Sequence, residues 1–139
     1  MKQYGRVVLQ RLSRSGRGPR PERMFTAYLT LAIVTVVFNA GIAAADLARI
    51  PFVLKNSAEV GVPQSWIPPL AALKAAGAAG LLLGLFGVTF LGTAAAVGLV
   101  LFYVGAVITH IRARVLYNIA FPAGLLALAV ATLVLDLAR

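Results

Sequence analysis

Residues Pro68–Leu85 read PPLAALKAAGAAGLLLGL. Two prolines open the stretch, where their missing N–H groups cost a helix nothing. The remainder is apolar and small-sided, with no polar face, so it reads as a membrane-spanning helix rather than a surface helix. The exception is Lys74. A cation in hydrocarbon costs roughly 2.5–3.5 kcal/mol on insertion scales, so Lys74 either snorkels toward the interface, pairs with an acid, or lines a ligand pocket or proton path.

The rest of the chain agrees with a membrane reading. Of its 139 residues, 60% are hydrophobic and only 12% charged, where a soluble domain is roughly half apolar and about a quarter charged. Strands of a membrane barrel alternate apolar and polar residues, and these segments do not. The fold class is therefore all-α, an integral membrane protein. Spans are expected at about 24–46, 67–86, 91–110 and 118–136, joined by short links into an up-down bundle of four transmembrane helices. The link at 47–66 carries Arg49, Lys55 and Glu59 and ends at Trp66, as expected of an interfacial segment with a helical turn or two and an aromatic anchor. Gly80 and Gly84 form a GxxxG pair, which serves either packing within the bundle or a homo-oligomer face.

The charge of +9 is unevenly spread, with Lys2, Arg6, Arg11, Arg14, Arg17, Arg20 and Arg23 preceding the first span. Residues 1–23 are rich in Arg, Gly, Ser and Pro, so they are expected to form a mostly disordered basic arm, with a helical turn or two in YGRVVLQRL. Anionic lipid headgroups are the expected partner of this arm. The run lacks the interleaved aromatics of a nucleic-acid stacking platform, so no nucleic-acid partner is expected. The basic excess puts the N-terminus, and after four spans the C-terminus, in the cytoplasm, with the protein multi-pass in the plasma membrane. Translation from Met24 would reverse that balance.

Antiparallel spans bring the end of the first, the start of the second, the end of the third and the start of the fourth to one membrane face. At those places stand Asp46 with Arg49, then Lys74, then His110 with Arg112 and Arg114, and then Asn118. Residues three, four and seven apart share a helical face, which aligns Thr35, Asn39 and Asp46, and likewise Tyr103 and His110. Lys74, Asp46, His110, Asn39, Tyr103 and Arg49 are the candidate ligand-binding residues. Asp46 is expected to pair with Arg49 or with Lys74, His110 to meet a helix C-terminus, and Asn39 to join helices. No catalytic residues can be assigned. The chain has one histidine and no cysteine, so no metal site and no intrinsic cofactor is expected.

Two stretches carry a family resemblance, AEVGVPQSWIPPLAALKAAGAAGLLLGL and GLVLFYVGAVITHIRARVLYNIAFPAGLLALAVATLVL. They resemble the DoxX-like family of small four-helix bacterial membrane proteins, over about residues 24–136. The typical features fall on Gly61-Val62-Pro63 and Trp66, on Lys74 with Gly77 and Gly80, and on Gly105-Ala106 with Thr109-His110. By way of the thiosulfate:quinone oxidoreductase subunits in the wider family, the resemblance implies a link to quinone and to membrane redox processes. The functional expectations are three: a subunit or binding protein for a quinone-type molecule, a structural or assembly partner of a redox or other membrane enzyme, and a membrane-embedded isomerase or hydrolase.

Overall fold

A computed structural model describes residues 2–16 and 20–139, with the side chains of Arg14 and Ser15 left aside. The order of elements is α1 (Lys2–Ser15), α2 (Pro21–Leu47), α3 (Pro51–Glu59), a 3₁₀ turn (Gln64–Trp66), α4 (Ile67–Leu85), α5 (Thr89–Arg112) and α6 (Ala120–Ala138). Four of these, α2, α4, α5 and α6, are long and apolar enough to cross a bilayer. The spans pack in the order α2, α4, α5 and α6, and α6 closes the ring on α2. This is the up-down four-helix bundle expected from the sequence.

Each span turns a narrow stripe inward. In α2 the buried residues are Tyr28, Ala32, Thr35, Asn39, Ala43 and Asp46. In α6 they are Pro122, Leu125, Ala129, Thr132 and Asp136. Steps of three and four residues keep such a stripe on one side of a helix packed at a shallow crossing angle. The contents of the stripes are mostly small or polar, while Leu82, Leu83, Phe90, Leu101 and Val134 stand exposed on the outside. That arrangement is inside-out relative to a water-soluble bundle and suits hydrocarbon as the surrounding solvent.

Glycine sets the α4–α5 spacing. A Cβ on Gly84 would sit 2.6 Å from the Cα of Gly92, and one on Gly80 2.6 Å from the Cβ of Ala95. The GxxxG pair therefore packs within the chain, at close backbone approach. Gly87, at φ +108°, makes the tight turn between the two helices, a conformation that only glycine adopts freely.

The basic arm differs from expectation. Residues 2–15 form a helix, well beyond a turn or two. Glycine at position 5 weakens it, but the apolar residues Tyr4, Val7, Val8 and Leu12 recur at helical spacing, and the only proline among the first twenty residues comes later, at Pro19. Met1 and residues 17–19 of the arm lie outside the described residues.

Gly84→Val should lower the melting point of the detergent-solubilised protein, at a cost of about 1–3 kcal/mol for a clash that side-chain rotation cannot relieve. Gly98, whose Cβ position is open, is the control. Gly98→Ala should leave stability unchanged or raise it by up to about 1 kcal/mol through helix propensity.

Candidate functional site

The C-terminal half of α2 brings Asn39 and Asp46 into the bundle, both buried. The Nζ of Lys74, on α4, donates to Asp46 Oδ2 at 2.6 Å. Their side chains are 13% and 8% exposed, so the pair is almost wholly withdrawn from solvent. Lys74 thus neither snorkels free nor stands unpaired. Its ammonium also lies 5.4 Å from the centre of the Phe102 ring, within reach of a cation–π attraction. Phe102 in turn meets Tyr103 edge-on.

Tyr103 crosses the centre of the bundle. Its hydroxyl donates to Asn39 Oδ1 at 2.5 Å, and the Asn39 amide donates to the Thr35 carbonyl at 2.8 Å. Both residues lie deeper along their helices than the Lys74–Asp46 pair, and neither borders the cavity at the mouth of the bundle.

His110 closes the polar group on α5. Its Nδ1 is 2.9 Å from the carbonyl oxygen of Ala106. A carbonyl only accepts, so Nδ1 carries the hydrogen, and in the neutral tautomer this leaves an acceptor lone pair on Nε2. That Nε2 is buried and has no hydrogen-bond partner. Buried polar atoms are nearly always paired, so an orphan beside a cavity points to a missing partner.

The cavity measures about 650 Å³ and is bounded by α2, α3, α4, α5 and the start of α6. Asp46, Lys74 and His110 border it, with Phe52, Trp66, Phe102 and Phe121 among its apolar walls. Phe52 meets Phe121 edge-on at 6.1 Å, and Asn118 donates to Asn56 at 2.9 Å. These contacts hold α3 across the mouth. Tyr117 donates to Glu59 on the same rim, and the carboxylate that accepts this bond raises the phenol above its ordinary pKa.

Arg49 stands apart from the other candidates. It is exposed, does not border the cavity and makes no ion pair among the described residues. The cause lies in the backbone, because α2 ends at Leu47 and Arg49 adopts φ +51°. The chain has already turned off the inward stripe, leaving Asp46 to Lys74. Arg114 makes the same left-handed turn after α5, at φ +57°.

A second polar cluster lies at the opposite face. Asp136 pairs with Arg139 at 3.0 Å and accepts from Thr93 at 2.5 Å, while the Arg139 guanidinium stacks 4.2 Å from the Tyr28 ring centre. Thr35 and Thr132 meet between the two clusters at 3.0 Å. Antiparallel spans gather Tyr28, Thr93 and Asp136 at one face just as they gather Lys74 and His110 at the other. The four-residue step from Thr132 to Asp136 was a further signal.

A model of the DoxX-like family matches residues 30–132. The chain belongs to the DoxX-like family. The match covers all four spans in whole or part, together with the link over the cavity mouth, and stops short of the arm and α1. No curated protein and no solved structure matches the chain. Among the described residues no three His, Asp or Glu side chains gather to hold a metal ion.

Removing one member of a buried ion pair costs about 3–5 kcal/mol because the other charge is left uncompensated, while an apolar replacement of both is often neutral or better. Asp46→Leu alone should therefore strongly reduce the melting point or the yield of inserted protein. The double variant Asp46→Leu/Lys74→Met should recover most of that loss, as measured by thermal unfolding in detergent.

Proposed function

We propose that this DoxX-like protein is a membrane-embedded binding subunit for a lipid-soluble molecule of the quinone type, serving a redox process of the plasma membrane. The reading rests above all on one observation, a largely apolar cavity bordered by both a hydrogen-bond donor and an unpaired acceptor. Its volume of about 650 Å³ falls within the range of small-molecule sites. Aromatic and aliphatic walls suit a ring and a short length of tail.

Lys74 uses one N–H on Asp46 and keeps others for a ring carbonyl. Asp46 holds that ammonium in place. His110 supplies the complementary contact: with Nδ1 tied to Ala106, Nε2 accepts from the hydroxyl of a reduced ring. Tyr103 and Asn39 support this floor from beneath and position Phe102. The electron transfer itself is assigned to a partner enzyme, with this chain binding and orienting the ring. The N- and C-termini are placed on the cytoplasmic side, in line with the basic excess before the first span.

Trp66 is the single tryptophan and borders the cavity, so its fluorescence reports occupancy directly. In nanodiscs, decylubiquinone should quench Trp66 saturably, and the quinone mass should stay with the protein in native mass spectrometry. The double variant Asp46→Leu/Lys74→Met, which leaves no uncompensated charge in the bundle, should weaken binding roughly tenfold, about the worth of one charge-assisted hydrogen bond. Unsaturable quenching that is the same in wild type and variant would refute the reading.

A further inference from the structure

α1 has no place in the quinone-binding role, and the family match does not include it. It forms a helix of 14 residues, Lys2–Ser15, yet has no substantial packing against any span. Its apolar side is exposed, with Tyr4 at 82%, Leu9 at 67% and Val7 and Val8 each at 51%. At about 100° per residue Tyr4, Val7 and Val8 fall within one arc of about 100°, Lys2, Arg6, Gln10 and Ser13 occupy the opposite side, and Leu9 stands at the border beside Lys2. Arg11 interrupts the apolar arc beside Tyr4 and Val7. Its long stem can follow the apolar surface while the guanidinium remains among headgroups. No acidic residue lies on the helix.

We infer that α1 is an in-plane anchor for an anionic lipid surface, with Tyr4, Val7 and Val8 sunk at the boundary between headgroups and acyl chains. Two facts select lipid over other occupants. The first is charge: a helix with basic groups and no acid, followed by Arg20 and Arg23 against the single acid Glu22, complements an anionic leaflet. The second is tethering. Only Gly16–Arg20 separate α1 from the start of α2, a membrane span. Five residues reach at most about 18 Å, so α1 cannot leave the neighbourhood of the surface. Its apolar side is then held where hydrocarbon is always in reach.

Weak single anchors become stable when an apolar and a basic signal act together. Binding should accordingly depend on both sides of the helix. The location of α1 would also report the charge of the leaflet at this face, independently of whether the cavity binds a quinone.

The absence of cysteine allows clean single-site labelling of the full chain. Val8→Cys and Gln10→Cys, each carrying a nitrobenzoxadiazole dye, are compared in nanodiscs holding one copy. The discs contain phosphatidylcholine alone or with one-third phosphatidylglycerol. In anionic discs the dye at position 8 should shift to shorter wavelength and resist quenching by acrylamide, while the dye at position 10 stays in water. Neutral discs should release position 8. Adding Arg6→Ser and Arg11→Ser should lower the ratio of docked to undocked helix about thirtyfold, at roughly fivefold for each basic residue.

A position-8 dye that remains in water in anionic discs would overturn the inference. Equal shielding in neutral and anionic discs would do the same, since the charge would then be irrelevant. In discs holding two copies, strong coupling between spin labels at position 8 would assign the apolar side to a second copy of the chain and would also overturn it.

Discussion

Hydrocarbon gives two apolar helices no reason to leave it for one another, and this constraint shapes the whole bundle. Association must come from what lipid cannot offer, close backbone approach and satisfied polar groups. The protein assigns one or the other to each contact. Lys74 and Asp46 join α4 to α2, Thr35 and Thr132 join α2 to α6, and Thr93 and Asp136 join α5 to α6. The α4–α5 contact uses glycines instead, with Gly80 and Gly84 against Ala95 and Gly92. Tyr103 and Asn39 tie α5 to α2 across the centre. Apart from Ile67, Leu81, Leu99 and Leu125, which are buried in the bundle, the large aliphatic side chains are mostly left to the lipid, where they lose nothing by exposure.

The same rule explains why the site lies where it does. A polar group between spans has to be paired, and most here are paired with one another. Beside the cavity the pairing is incomplete: the Nε2 of His110 has no partner, and Lys74 spends only one of its N–H groups on Asp46. Both lie where α3 folds over the end of the bundle and the aromatic rings of Phe52 and Phe121 lean together. A ring with one acceptor and one donor would complete what the protein leaves open. Tyr103 and Asn39, by contrast, are already used on each other and act as a floor.

Much of this was legible in the sequence because membrane spans obey few rules. Length and composition are enough to place four spans, and short links force them antiparallel, so the meeting of Asp46, Lys74 and His110 at one face follows from counting. What was not legible turned on backbone detail and on local propensity. Arg49 is only three residues past Asp46, the spacing of an inward neighbour, but a left-handed turn at that residue takes it out of the helix. Composition favoured a disordered arm, and the recurring Tyr4, Val7, Val8 and Leu12 prevail over it in α1. The Thr93–Asp136–Arg139 cluster could have been found, because antiparallel alignment gathers residues at both membrane faces alike.

The two clusters differ in a way that bears on function. Asp136 and Arg139 are three residues apart at the end of one helix, so no relative movement of spans separates them. They close their end of the bundle with a local pair, reinforced by Thr93 and Tyr28. Lys74 and Asp46 sit on different helices, 28 residues apart in sequence, and their distance is set by the spacing of α4 and α2. Anything that enters the cavity and takes an N–H from Lys74 must therefore compete with Asp46 or leave the pair intact by using a spare N–H. In the first case the α2–α4 contact loosens, and in the second it is preserved. Glycine packing between α4 and α5 holds the far side of α4 fixed in either case, so any response to a ligand is directed to α2 and to the short helix α3 that follows it.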